Sequence, residues 1–298
     1  MPTAIPARTL RVLLEGLVDY AGLFPPAALP MSEAAANYAA YLDSPDAWAL
    51  GRFVVAAARL DELAGEAARY AGAGATPWRI SALIGDQPSD DAERIHDYNE
   101  AHIGALVVDT VEVRASTPAA IADAARALAG FTAFVELPLA DDPDDLIRAV
   151  KDAGARAKVR TGGVTADALP SAADLAQFIT SCARHDVPFK ATAGLHHPVR
   201  GEHRLTYASD APSATMFGFV NVFLAAAVAR AGAREDTVAA ILEERDPASF
   251  RFSADAVQWR EQRISVGQLA ASRESLALAF GSCSFREPID DLHQLALL

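Results

Sequence analysis

Residues 132–194 read TAFVELPLADDPDDLIRAVKDAGARAKVRTGGVTADALPSAADLAQFITSCARHDVPFKATAG. Three short runs in this stretch, Thr132–Leu139, Ala157–Thr161 and Pro188–Ala193, carry apolar residues on both faces. The helix-length segments Pro143–Ala153 and Ala172–Arg184 separate them. Strands apolar on both faces and spaced by helices predict a parallel sheet covered by helices. The same rhythm extends outward, to candidate strands at Phe53–Ala57, Ile80–Gly85 and Ala105–Val113 before it, and Phe250–Ala254 and Ala277–Phe280 after it. Ala119–Leu128 supplies a further intervening helix.

Eight such strands fit an α/β fold of the (β/α)8 barrel type. A doubly wound open sheet is the alternative, but no G-x-G-x-x-G follows the first strand. Residues 1–50 read as an N-terminal helical extension. Ala7–Tyr20 has helical spacing, Ala21-Gly22-Leu23-Phe24-Pro25-Pro26 breaks it, and a second helix runs from an N-cap at Ser32 to Leu42. No linker or repeat divides the chain, so residues 1–298 are expected to form one domain. A polar loop (His197–Ser213) and an apolar helix (Thr215–Ala229) make a long insertion over residues 197–249, the usual form of a lid or an interface. The apolar helix Phe217–Ala229 makes a homodimer an expectation.

The chain has 298 residues, with 26 basic against 39 acidic side chains and a formal charge of −13. Such a surface repels phosphate backbones and anionic lipid, which argues against nucleic-acid and membrane partners. The apolar run Met216–Ala229 is too short to span a bilayer. No basic segment followed by an apolar run opens the sequence, and Cys182 and Cys283 make neither a disulfide framework nor a cysteine metal site. A cytoplasmic protein without a cofactor is expected.

Lysine is scarce: Lys151, Lys158 and Lys190 stand against 23 arginines. A lysine kept in an arginine-rich composition is a candidate for chemistry that a guanidinium cannot perform, because only an amine deprotonates and attacks a carbonyl. Lys158 and Lys190 fall inside strands, each followed by small residues and glycine. Two lysines facing one barrel interior would lower each other's pKa and favour a nucleophilic amine. Structural lysines paired with Glu112 or Glu136 are the plainer reading. Lys151, in a polar helix, reads as a surface residue.

Active sites of such barrels lie at the C-terminal ends of the strands. There the sequence places Asp109 and Glu112, Glu136, Lys158-Val159-Arg160-Thr161-Gly162-Gly163, Lys190-Ala191-Thr192-Ala193-Gly194-Leu195-His196-His197, and Gly281-Ser282-Cys283-Ser284. Gly162, Gly163, Gly194, Gly281 and Ser282 can present backbone N–H groups to an anion. A helix beginning near Pro288 would add its positive end, and Arg160 a bidentate partner. Thr161, Thr192 and His197 complete the expected anion-binding set. His196 is a candidate acid/base. Asp109, Glu136 and His196 could instead hold a divalent ion, although no metal-ligand spacing supports this. The segment Asp19–Pro26 reads as packing against a barrel end or a neighbouring subunit, with a contribution of Asp19 or Tyr20 to the site as the alternative. Asn221 either faces a ligand or caps a buried loop carbonyl.

Residues 157–163 (AKVRTGG) and 189–194 (FKATAG) resemble the paired lysine strands of deoxyribose-phosphate aldolases. Residues 280–284 (FGSCS) are similar to that family's terminal phosphate loop, and residues 109–113 (DTVEV) to its acidic third strand. The resemblance covers these four motifs and implies that Lys158 forms a Schiff base, Lys190 tunes its pKa and a strand carboxylate relays protons. Arg160 and His196-His197 depart from the family pattern. Three readings follow. The first is a class I aldolase or lyase acting on a small anionic carbonyl compound, with Lys158 or Lys190 as nucleophile and Glu136, Glu112 or His196 moving protons. The second is a metal-dependent hydrolase, isomerase or lyase. The third is a non-catalytic small-anion binding protein.

Overall fold

The computed structural model describes residues 7–70, 76–139 and 142–298. Helix α1 (Arg8–Leu14) leads into β1 (Val18–Tyr20), followed by α2 (Met31–Leu42), β2 (Leu50–Ala56), α3 (Leu60–Ala67), β3 (Trp78–Leu83) and α4 (Pro88–Ala101). The alternation continues through β4 (Leu106–Arg114), α5 (Pro118–Ala127), β5 (Thr132–Glu136), α6 (Asp144–Asp152), β6 (Arg156–Arg160), α7 (Ala172–His185) and β7 (Phe189–Thr192). An excursion then carries the hairpin β8 (Gly201–Arg204) and β9 (Ser213–Met216), α8 (Phe219–Arg230), α9 (Glu235–Leu242) and β10 (Arg251–Phe252). It ends with β11 (Ala256–Trp259), β12 (Gln262–Ser265) and α10 (Val266–Ser275) before β13 (Ala277–Ser282) and α11 (Arg286–Gln294).

Eight parallel strands close in the order β1-β13-β7-β6-β5-β4-β3-β2. The chain is therefore a (β/α)8 barrel. Two of its strands differ from the expected ones. Val18–Tyr20, inside the expected helix, is the first barrel strand, so only α1 precedes the barrel and α2 is its first outer helix. All three of its residues are buried, which hides any alternation. Phe250–Ala254 instead feeds β10, which pairs antiparallel with β11 in a separate three-stranded sheet with β12. Helix α2 also has its N-cap two residues early, on Pro30 rather than on Ser32.

The excursion between β7 and β13 has two parts. The β8–β9 hairpin projects over the C-terminal ends of the strands, where its loop reaches the cavity described below. Helix α8 is buried on every side from Phe219 to Ala229, against α7, α9, α10 and β13. An all-round apolar sequence thus marks a helix enclosed by its own chain. It offers no face to a second copy, and the reason for expecting a homodimer disappears with it. Asn221 caps: its Nδ2 donates to the Ile241 and Glu244 carbonyls at 2.7 and 2.8 Å, and its Oδ1 accepts the Arg200 N–H. Among the described residues, no helix is long and apolar enough to cross a membrane.

Candidate functional site

Strand register sets the site. Glu136, Lys158 and Lys190 are direct neighbours across β5, β6 and β7. In a parallel ladder, residues in one row point to the same face, so all three project into the barrel. Flanking Ala157, Val159, Phe189 and Ala191 turn outward and are buried under the helices.

Inside, the charges alternate. Lys190 Nζ lies 2.6 Å from Asp19 Oδ2 and 2.7 Å from Glu112 Oε1. Lys158 Nζ lies 2.7 Å from both Glu112 Oε2 and Glu136 Oε2. Arg160 extends the chain of pairs to Glu136 Oε1, and the Ser81 hydroxyl donates to Glu112 Oε1. Asp19 is itself held by the Arg52 N–H at 2.7 Å, and a side chain at Gly51 would collide with its carboxylate. Each buried charge therefore has opposite partners from other strands of the barrel, the condition under which burial is tolerated.

The titration behaviour follows. Burial pushes the Glu112 carboxyl upward, but Lys158 and Lys190 outweigh it and hold it well below the usual carboxylate range. Burial likewise raises Glu136, and Lys158 and Arg160 bring it below its ordinary value. For Lys190, burial favours the neutral amine, yet Asp19 and Glu112 prevail and raise its pKa. This corrects the expected lowering at Lys190: a carboxylate sits between the two lysines, and its partners favour the cation.

The row opens into a cavity of about 640 Å³ lined by Glu112, Glu136, Lys158, Arg160 and Lys190, with Gly163, Thr192, Gly194, His196, His197 and Gly281 around it. The Phe24-Pro25-Pro26 loop, the hairpin residues Arg204–Tyr207, Cys283 and Glu287 complete the mouth. Three expected residues serve the walls instead. Thr161 is fully buried and donates to the Ala193 carbonyl at 2.5 Å. Gly162 packs against Gly194, where an added Cβ would stand 3.0 Å from the neighbour's Cα. Ser282 is buried and its hydroxyl accepts from the Ser284 N–H. Lys151 is exposed on α6, as expected.

The candidate metal set does not assemble. Asp109 lies at a bulge in β4, bound to Arg52 at 2.5 Å and to Arg79 at 2.7 Å, and does not line the cavity. His196 Nδ1 meets Glu287 Oε2 at 3.0 Å. Among the described residues, no three His, Cys, Asp or Glu side chains are grouped to hold an ion. His197 pairs with Asp291 at 2.6 Å and stacks on His203 with ring centroids 3.4 Å apart. Burial and the neighbouring His197 lower His203 to about 4.

Ser81, Tyr207 and Glu287 escaped the sequence reading of the site, Cys283 entered it only as part of the last strand-end motif, and Asp19 only as the alternative to a packing role for Asp19–Pro26. Asp19 had a signal, an acid between Val18 and Tyr20 in an apolar run, although its strand was not apparent. Tyr20 faces away, into an aromatic cluster with Tyr38, Tyr41 and Phe53. Helix α11 starts at Arg286, but its first turn carries Glu287, so the expected anion position beside Gly281 already faces a carboxylate.

No family model matches the chain, and no curated protein matches it. Two solved structures align with it in part. The lysine/ornithine decarboxylase of Vibrio vulnificus complexed with cadaverine is 12% identical over 62% of this chain and 48% of that one, with a TM-score of 0.37. The lysine decarboxylase of Selenomonas ruminantium is 16% identical over 79% and 54%, also at 0.37. The chain spans about half the length of these structures, and likeness at this level bears on no residue of the site.

Proposed function

We propose that the chain is a small-molecule enzyme of the class I aldolase or lyase type, acting on a small anionic carbonyl compound through an iminium at Lys158. The observation that carries this reading is the placement of Lys158 Nζ on the cavity wall, 2.7 Å from two carboxylates on different strands. Glu136 can take the ammonium proton, leaving a neutral amine beside a carboxylic acid. The amine adds to the carbonyl carbon and passes one of its protons to the oxygen, the carboxylic acid returns its proton to the resulting hydroxyl, and water leaves. The iminium that results carries the same positive charge between the same carboxylates, so the site stabilises the covalent state as it stabilises the resting one.

Lys190 suits a supporting part. Locked between Asp19 and Glu112, it keeps Glu112 ionised and directed at Lys158. Arg160 and Arg204 both line the cavity and supply the contacts for an anionic tail. The test is exchange of carbonyl α-protons in D2O, followed by NMR over a panel of hydroxy-aldehydes and keto-acids. Wild type should exchange the protons of its substrate class and Lys158→Arg should not. Equal exchange by both proteins would sink the reading.

A further inference from the structure

The cavity has a second reactive wall that the iminium chemistry does not use. Cys283 directly follows β13 and lines the cavity. Its sulfur lies 4.0 Å from His196 Nδ1 and 3.5 Å from the Tyr207 hydroxyl. Glu287 stands behind them, with Oε2 3.0 Å from His196 Nδ1 and 3.1 Å from the Tyr207 hydroxyl. An imidazole and a phenol thus stand beside one sulfur, and the Glu287 carboxylate holds both of them in place. They come from separate parts of the chain: the loop after β7 and the β8–β9 hairpin.

We propose that Cys283, with His196 and Glu287, is a second nucleophilic centre of the cavity, one that takes up small α,β-unsaturated carbonyl compounds through sulfur. Addition forms a C–S bond at the β-carbon and moves the C=C π pair into an enolate. The His196 proton then closes the α-carbon, and solvent reprotonates the imidazole. No oxidant or reductant takes part. Only 6% of Cys283 is exposed, beneath the hairpin, which restricts the partner to a slender molecule.

The electrostatics agree with this geometry. Burial raises the Cys283 thiol, but His196 and Tyr207 outweigh it and bring it below the ordinary value. Burial opposes a charged His196, yet Cys283 and Glu287 raise it to about 10. The other titratable groups near this cluster are Tyr20 of β1, whose ring packs among Tyr38, Tyr41 and Phe53 but within reach of the Cys283 charge, and His197 and His203 around Glu287. Cys182 is the internal control, sealed in α7 with its thiol raised by burial alone. The proposal stands apart from the Lys158 reading, because it concerns a different nucleophile.

The experiment treats the full-length chain with acrylamide at a series of pH values and follows each cysteine by peptide mass. Between about pH 6 and about pH 9, an ordinary thiol of pKa about 8.5 changes its rate about 200-fold, whereas Cys283 should change less than about tenfold. His196→Gln should restore the steep profile, and Cys182 should stay unmodified. A steep wild-type profile, no adduct on Cys283, or a His196→Gln profile identical to wild type would each overturn the proposal. Should His196→Gln not fold, the thiolate absorbance of wild type minus Cys283→Ser decides. Absorbance already present at about pH 6 supports the centre, and absorbance appearing only above about pH 8 overturns it.

Discussion

The barrel carries two clusters of charge, and they are built from different bases. Near the N-terminal ends of β2 and β3, Arg52 and Arg79 clamp Asp109, with side-chain exposures of 21%, 58% and 31%. In the interior, Lys158 and Lys190 interleave with Asp19, Glu112 and Glu136, and none of these side chains exceeds 11%. Arginine serves where a permanent charge meets solvent. Two of the chain's three lysines serve where the cation lines a cavity, and an amine, unlike a guanidinium, can give up a proton there. One cluster reads as an ion pair that ties strands together, the other as a site.

Replacing Lys158 tests this contrast most severely. Lys158→Arg keeps the charge between Glu112 and Glu136, and activity should still fall about 10³-fold or more, because a guanidinium does not form the iminium. Turnover at saturating substrate checks it. A residual rate within tenfold of wild type would reduce the interior to a second structural cluster.

Glu112→Gln should cost about 3–5 kcal/mol of stability, the usual result of leaving buried partners uncompensated. Lys158 and Lys190 both lose a carboxylate in this variant. Urea unfolding midpoints measure the loss, and a shift equivalent to less than about 1 kcal/mol would mean that the pairs are not closed to water.

The pH profile of stability separates the clusters further. Glu112 and Glu136 have lowered folded pKa values. The unfolded chain therefore binds more protons below about pH 4.5, and stability falls as pH drops from there through the folded values. Lys190 has the opposite sign. Its contribution is fully present below the unfolded value of about 10.4 and is lost as pH rises through the folded one. Asp109 is lowered too, against burial, by Arg52 and Arg79, and adds to the acid limb. Added salt should weaken the Asp109 share and leave the interior share, because exposed pairs are screened. Acid titrations of wild type and Asp109→Asn at low and high salt check this.

The smallest effect belongs to Arg79→Lys, which should shift stability by no more than about 1 kcal/mol and leave activity unchanged. A larger loss would show that the clamp on Asp109 holds the barrel together.

The fold was legible where strand and helix patterns are long. Six expected barrel strands lie where β2 to β7 lie, and Ala277–Phe280 falls within β13. β1 was hidden because three fully buried residues carry no alternation. Phe250–Ala254 misled because a short apolar run looks alike in a barrel and in a small antiparallel sheet. At the site, Lys158, Lys190, Glu112 and Glu136 were legible from residue type and strand position. The sign of the lysine titration was not, because it depends on Asp19 from a hidden strand and on which carboxylates point inward. Likewise, Cys283 and Glu287 acquire meaning only when the β8–β9 hairpin closes over them.

The most direct measurement is borohydride trapping. The folded protein is incubated with small aldehydes and ketones carrying a carboxylate or phosphate, reduced, and mapped by peptide mass. The account predicts a substrate-sized secondary amine on Lys158 and none on Lys151, with the adduct absent from Lys158→Arg. An adduct confined to Lys190, or no adduct from any such carbonyl, would contradict it.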